Sequence, residues 1–454
     1  MKTLKISALI VLISSFVSAA QYPKNIIMII VDGAGRNHIQ AANYYTQGKK
    51  TSQEFEKFPV QLSVTTFPYG GSYEPKKAVK HFGYVKDGYT DSAAAATALA
   101  TGVKTKNGSI GVDHKGKQLE NVIEKCEKLG MATGVVTTVP LCHATPAGFT
   151  VHQNSRKDYK DIANEMINES ALEVIFGCGN PNYNESGEEQ NSGETKYVGG
   201  KETWNALLEG KAGADCDADG IADAWTLIQS REEFQKLAQG ATPKRVIGIA
   251  QAESTLQYNR KGKSAAAFDV PLNRNVPSLS QMALAALNVL DEDPDGFFVM
   301  IEAGAVDWAG HNNNSPRLIE EMLDFYSAAD TIINWIETKS CWDDTLFIIT
   351  ADHQTGYVTG PKKKSFLSLG KDKEAVKEHR GSIKNNGKGN MPGFEFNSGG
   401  HTNSPVFLYA KGSGSKLLAT HIKGKDPVYG NYIDNTDIPK TIFSLLEARK
   451  VQAK

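Results

Sequence analysis

The sequence predicts an α/β fold: a doubly wound, mostly parallel central sheet with helices on both faces, plus a peripheral insertion. Three observations carry this. Apolar or β-branched runs recur at 25–31, 132–138, 245–250, 297–301, 346–349 and 406–409, as strands buried on both faces require. Helical sequence follows most of them, which suits parallel strands joined by crossovers. The polar residues able to do chemistry come directly after those runs, where open α/β sheets bind ligands.

Residues 1–20 carry Lys2 and Lys5, an apolar run over 6–17 and then Ser18-Ala19-Ala20. They read as a secretory signal peptide cleaved after Ala20, with an apolar run too short to span a bilayer. The mature chain, 21–454, is therefore expected to be periplasmic or secreted. No later segment reaches the roughly 18 apolar residues of a membrane helix, so a membrane is not an expected partner. The formal charge is −1, and removing two lysines takes it to −3. A balance so near zero argues against nucleic acid as the main partner. Of five cysteines, Cys178 and Cys216 are the expected disulfide pair, both lying in loop-rich sequence, whereas Cys126 belongs to the core face of a helix over 119–129.

The first strand, 25–31, runs into Asp32-Gly33-Ala34-Gly35, a carboxylate at a strand end with glycines that permit close backbone approach. A helix over 39–45 and a strand over 61–66 follow. Then Asp87-Gly88 turns the chain into Thr90-Asp91-Ser92 and an alanine run. Thr90 or Asp91 can cap that helix, which leaves the Ser92 hydroxyl in its first turn, beside free N–H groups and the positive end of the dipole. An anion such as phosphate is favoured there, although an Asp-Ser-Ala string alone is also an ordinary helix cap.

After Gly130 ends the next helix, the strand over 132–138 leads to His143-Ala144-Thr145, with Arg156 soon after. The alternation is lost over 177–240, read as an insertion or peripheral subdomain. It resumes with the strand at 245–250, a helix over 278–290, and the strand 297–301, which delivers Glu302 and then Asp307-Trp308-Ala309-Gly310-His311. A helix over 318–338 and the strand 346–349 deliver Asp352-His353. A lysine-rich stretch, 361–388, reads as a mobile loop ahead of Ser398-Gly399-Gly400-His401 and a last strand.

Placed at strand ends of one sheet, these groups converge. Three histidines and several carboxylates suit zinc, and a threonine with a glutamate suits magnesium. Over 25–409 the chain resembles the bacterial alkaline phosphatases, with Thr90-Asp91-Ser92-Ala93-Ala94 matching the nucleophile motif of that family. The resemblance implies a phosphate-monoester hydrolase working through a phosphoserine on Ser92 at alkaline pH. It implies one zinc on Asp307, His311 and His401, a second on Asp32, Asp352 and His353, and magnesium on Asp32, Thr145 and Glu302. Arg156 would grip the substrate phosphate. Asp91, His143 and Trp308 would stand just behind, His143 and Trp308 being positions that vary within the family. The family often forms homodimers, but the chain shows no interface signature of its own. Related metal hydrolases that cleave diesters, and a metal- or phosphate-binding protein without turnover, are the alternatives.

Within the insertion, Asp215, Asp217, Asp219 and Asp223 follow the spacing of the first part of a calcium loop around Gly220, with Thr226 where that loop would end in a glutamate. Calcium is the cofactor this spacing suggests, in a structural role remote from Ser92.

Overall fold

The strand Asn25–Val31 (β1) is buried over its whole length, and a computed structural model places it in an eleven-stranded sheet. The structure describes residues 22–190, 193–216, 220–361 and 381–452. The leader over 1–20 and most of the 361–388 stretch thus lie outside the described residues, as do Asp217 and Asp219.

The other strands of this sheet are Val60–Thr65 (β2), Ala132–Pro140 (β3), Val174–Cys178 (β4), Thr226–Ile228 (β5), Val246–Ile249 (β6), Phe297–Ala303 (β7), Thr345–Thr350 (β8), Val406–Gly412 (β9), Gly424–Asp426 (β10) and Gly430–Asp434 (β11). Across the sheet they run β10-β11-β2-β9-β8-β1-β7-β3-β4-β6-β5. All neighbours are parallel except that β9 runs against both β8 and β2, and β10 against β11. The fold class expected from the sequence is the one observed. The segment 177–240 is not wholly peripheral, since β5 pairs with β6 and closes one edge of the sheet.

Six helices bear on the site and its surroundings: Arg36–Gln47 (α1), Ser92–Thr101 (α2), Ala144–Thr150 (α3), Leu279–Leu290 (α4), Ala305–His311 (α5) and Ser315–Lys339 (α6). All ten residues of α2 are buried. A helix of alanine, serine, threonine and one leucine presents no polar face to water, so it belongs inside. It packs on α3 at Gly148, where any Cβ would come within 2.6 Å of the Ala96 Cβ. Only glycine allows that approach.

The expected disulfide is corrected. Cys178 ends β4 fully buried and its thiol donates to the Thr138 carbonyl, while Cys216 is exposed; both are free thiols. The apolar run that makes 174–178 a strand carries Cys178 into the sheet and away from the loop. Cys126 is buried in the core, as expected.

Candidate active site

Most candidate residues stand in or directly after buried elements, whereas Arg156 lies in a turn. Asp32 follows β1 directly. Gly33, at φ +75°, turns the chain where a Cβ would lie 2.7 Å from the Asp307 Cα, so the glycine admits α5 against β1. Glu302 sits within β7, opposite Ile30 and Thr137 on its neighbours. Asp352 and His353 follow β8. A two-residue ladder then pairs Thr355 with His401, which sets the His401 ring on that of His353 with centroids 3.6 Å apart.

Asp91 is the cap of α2, its Oδ1 accepting the Ala94 N–H at 3.0 Å. The Ser92 Oγ therefore projects from the first turn and stands 3.2 Å from His353 Nε2. The same His353 nitrogen lies 3.1 Å from Asp352 Oδ2 and 3.6 Å from Asp32 Oδ1. On the other side of the His353 ring, Asp307 is met by His311 Nε2 at 3.4 Å and His401 Nε2 at 3.5 Å. Those two nitrogens are 3.0 Å apart. Carbonyls hold their far sides: Gly399 O at 2.8 Å from His311 Nδ1 and Thr90 O at 2.9 Å from His401 Nδ1. With Nδ1 donating to a carbonyl, Nε2 carries the lone pair, as in metal-binding histidines.

The donor chemistry fits divalent ions. Both oxygens of Asp32, Glu302 Oε1 and Thr145 Oγ1 are buried with no hydrogen-bond partner. Burial, and then the charges of Asp352, Asp307 and Glu302, push the Asp32 carboxyl well above its ordinary range. Burial takes Glu302 up to about 7 and Asp352 up to about 6. Asp307 is the exception: burial would raise it, but contact with His401 and the charges of His401, His353 and His311 hold it far below the usual carboxylate range. Packing four carboxylates here without water is costly unless cations compensate them. Three clusters have ligand atoms close enough to share an ion: Asp307, His353 and His401; Asp32, Asp352 and His353; and Asp32, His143 and Glu302.

His143 thus lies nearer the third cluster than the sequence suggested. Burial, then the Arg156 charge, lowers its pKa to about 3, so the ring is neutral and can donate a lone pair. Arg156 is half-buried, with Nη1 3.2 Å from Asp91 Oδ2 and Nη2 3.4 Å from His143 Nε2. A cavity of about 400 Å³ opens over Ser92, lined also by Arg156, Trp308, His311 and Asn312. Trp308 forms its apolar wall, its ring tilted against His143 with centroids 6.0 Å apart. Asp32, Ser92, Arg156, Glu302, Asp307, His311, Asp352, His353 and His401 are linked through these contacts, and Thr145 is buried in the first turn of α3, two residues after His143.

Supporting residues escaped the sequence reading. Thr355 donates to Asp307 Oδ1 at 2.5 Å and lies 3.3 Å from His353 Nδ1. Thr137 donates to Glu302 Oε2. Asn312, in the cavity wall, donates to the Tyr258 hydroxyl at 2.8 Å. Their only sequence signal is position: Thr355 stands two residues after His353, and Asn312 one after His311. Of the acidic loop, Asp215 Oδ2 accepts the Gly220 N–H at 2.9 Å and Asp223 pairs with Lys244 at 2.7 Å.

The sequence model of the alkaline phosphatase family matches residues 23–423. Alkaline phosphatase 3 of Bacillus subtilis is 30% identical over 344 residues, 73% of this chain and 61% of that protein. The match thus spans about three-fifths of that relative's length. Alkaline phosphatase of Escherichia coli is 29% identical over 397 residues, 79% of each chain. Among solved structures, alkaline phosphatase from the Antarctic bacterium TAB5 superposes with a TM-score of 0.63 at 24% identity, covering 94% of this chain and 99% of that one. A His-to-Glu variant of the TAB5 enzyme, with Mg bound in the M3 site, gives 0.64 at 25% identity, with 94% and 99% covered. The chain belongs to the alkaline phosphatase family.

Proposed function

We propose that this chain hydrolyses phosphate monoesters through a phosphoserine at Ser92, with two zinc ions and a magnesium ion, and works best at alkaline pH. The observation that carries this reading is Ser92 itself: its Oγ leaves the N-terminus of a buried helix, 3.2 Å from His353, in a cavity shared with Arg156. Asp307, His311 and His401 would hold one zinc, and Asp32, Asp352 and His353 the other. Asp32, Thr145 and Glu302 would hold magnesium. Zinc so placed supplies positive charge that favours anionic oxygens at neutral pH.

The chain's own groups divide the remaining work. The Arg156 fork takes two non-bridging phosphate oxygens, a geometry a lysine cannot supply. Helix N–H groups and the dipole of α2 favour the anion at Ser92. The Ser92 oxygen attacks phosphorus in line and the alcohol leaves on the opposite side. Water then hydrolyses the phosphoserine, returning the serine and releasing phosphate. Higher pH favours ionised oxygen nucleophiles and product release, hence the alkaline optimum. Asp91 restrains Arg156, and Trp308 gives the alcohol portion an apolar wall.

Export to the periplasm or medium is part of this reading. No helix among the described residues is long and apolar enough to cross a membrane. The substrates are small phosphate monoesters, and a homodimer is the expected assembly. A calcium ion at Asp215, Asp217, Asp219 and Asp223 would act structurally, and it would have to displace Lys244 from Asp223.

The test is release of nitrophenol from nitrophenyl phosphate by protein stripped with a chelator and then given zinc and magnesium. Restored turnover supports the reading. A metal-loaded protein that cleaves only bis(nitrophenyl) phosphate, or nothing, overturns it.

A further inference from the structure

Asn312 lines the cavity over Ser92 without a part in holding metal or gripping phosphate. It ends α5, the helix that carries Asp307, Trp308 and His311 to the same wall. The residue is exposed, yet its side chain is not loose. Nδ2 donates to the Tyr258 hydroxyl oxygen at 2.8 Å and to the Trp308 carbonyl oxygen at 3.2 Å. A carbonyl oxygen only accepts, so this pair of bonds fixes which end of the amide is nitrogen. Tyr258 is itself 8% exposed and packs within the hydrophobic core, which makes it a firm anchor.

An amide nitrogen has two hydrogens, and both are engaged here. Oδ1 is the polar atom that Asn312 has left to offer the cavity, and it meets no donor among the described residues. Such an acceptor does not hold phosphate, whose own oxygens also accept. It suits the other half of the substrate, the alcohol, for which the neighbouring Trp308 supplies an apolar wall.

An acceptor beside an aromatic face selects a hydroxylated carbon chain. The C–H groups lie on the electron-rich ring face while an O–H donates to Oδ1. An alcohol bearing an ammonium group could also donate, but it would share a cavity of about 400 Å³ with the Arg156 guanidinium and be repelled. That volume lies toward the lower end of small-molecule sites, roughly 300–1,000 Å³, so the alcohol is small. Resting on the monoesterase reading above, we propose that Asn312 is a specificity residue for monoesters of small polyols, such as glycerol and sugar phosphates, its Oδ1 accepting a hydroxyl of the leaving alcohol. Tyr258 is the positioning residue that holds the amide in this orientation.

The experiment compares glycerol 3-phosphate with propyl phosphate, which lacks the two hydroxyls, by phosphate release from the full chain loaded with zinc and magnesium. The readout is the ratio of their kcat/KM values in the wild type and in Asn312→Leu, whose side chain has a similar size and no acceptor. Leaving-group reactivity is common to both proteins and cancels. The wild-type ratio should exceed that of Asn312→Leu about fivefold, the worth of one hydrogen bond, with the difference mainly in KM. Tyr258→Phe keeps the ring and removes the anchoring hydroxyl. It should lower the ratio about twofold, and it decides the matter if Asn312→Leu does not fold. A wild type that releases nitrophenol from nitrophenyl phosphate, yet shares its ratio with Asn312→Leu or, where only that variant folds, with Tyr258→Phe, overturns this proposal and leaves the monoesterase reading standing. A loaded wild type that releases no nitrophenol overturns both.

Discussion

The Asp91 carboxylate does two jobs at once: Oδ1 caps α2 at the Ala94 N–H, and Oδ2 holds Arg156 Nη1 at 3.2 Å while also accepting the Gly108 N–H. Helix start and the arginine proposed to bind phosphate are thereby tied to one side chain. Asp91→Ala should cost about 1 kcal/mol of stability through the lost cap. It should also loosen Arg156 and weaken inhibition by inorganic phosphate. Arg156→Ala should weaken phosphate by roughly 2 kcal/mol, the scale of a lost charge-assisted contact, and leave the unfolding midpoint nearly unchanged. Inhibition constants for both variants decide the matter: unaltered phosphate inhibition in Arg156→Ala would place that side chain outside the substrate cavity.

Ser92→Ala should abolish the phosphorylated intermediate and reduce turnover by several orders of magnitude, because among the described residues lining the cavity only Ser92 carries a hydroxyl. Its zinc content, read by elemental analysis, should match the wild type, since the buried carboxylates and imidazoles remain. Phosphate trapped on the protein after an acid quench is the direct readout. A phosphorylated Ser92→Ala protein would assign the nucleophile elsewhere.

The third cluster gives a separate prediction. His143 brings a neutral nitrogen toward Asp32 and Glu302, and nitrogen suits zinc where magnesium prefers oxygen. His143→Asp should therefore raise the affinity for magnesium, seen as activation at lower magnesium concentration and as more bound magnesium after dialysis. Magnesium retention equal to the wild type would leave His143 outside the metal shell.

How far could these relationships be read from the amino-acid sequence alone? Seven of the eleven strands were legible, most of them as apolar runs buried on both faces, and several proposed ligands because they come soon after those runs; β4 was missed, as were β5, β10 and β11, which are short and partly exposed. Asp32, Asp352 and His353 are cases where position in sequence is nearly position in space. His401 was legible only through its glycine-rich context, since a two-residue ladder with Thr355 seats it, and so short a pairing leaves no periodic signal. The role of His143 was harder. A nitrogen beside Asp32 and Glu302 depends on how α3 meets α2 at Gly148, a packing relation between distant segments. Thr137 and Thr355 resemble any strand threonine until their carboxylate partners are known. The Cys178–Cys216 pairing failed because a run read as entering a loop-rich segment ends instead as a buried strand.

Stability should carry a signature of Glu173, which lies away from the catalytic cluster. Its Oε2 accepts the Thr133 N–H at 2.6 Å. Burial raises its pKa from 4.5 to about 7, with the neighbouring Glu127 adding to the rise and the Thr133 N–H and Arg245 opposing it. The sign comes from proton counting. Between pH 4.5 and 7 the folded chain keeps a proton that the unfolded chain has released, so stability falls as pH climbs through that window and levels off above it. Glutamine keeps the acceptor for Thr133 and cannot ionise. Glu173→Gln should therefore be close to the wild type at about pH 4.5 and gain on it up to about pH 8, where the difference is on the order of 3 kcal/mol. Denaturant unfolding of both proteins at several pH values measures this directly, and a difference that stays constant or shrinks as pH rises would show that Glu173 titrates normally in the folded chain.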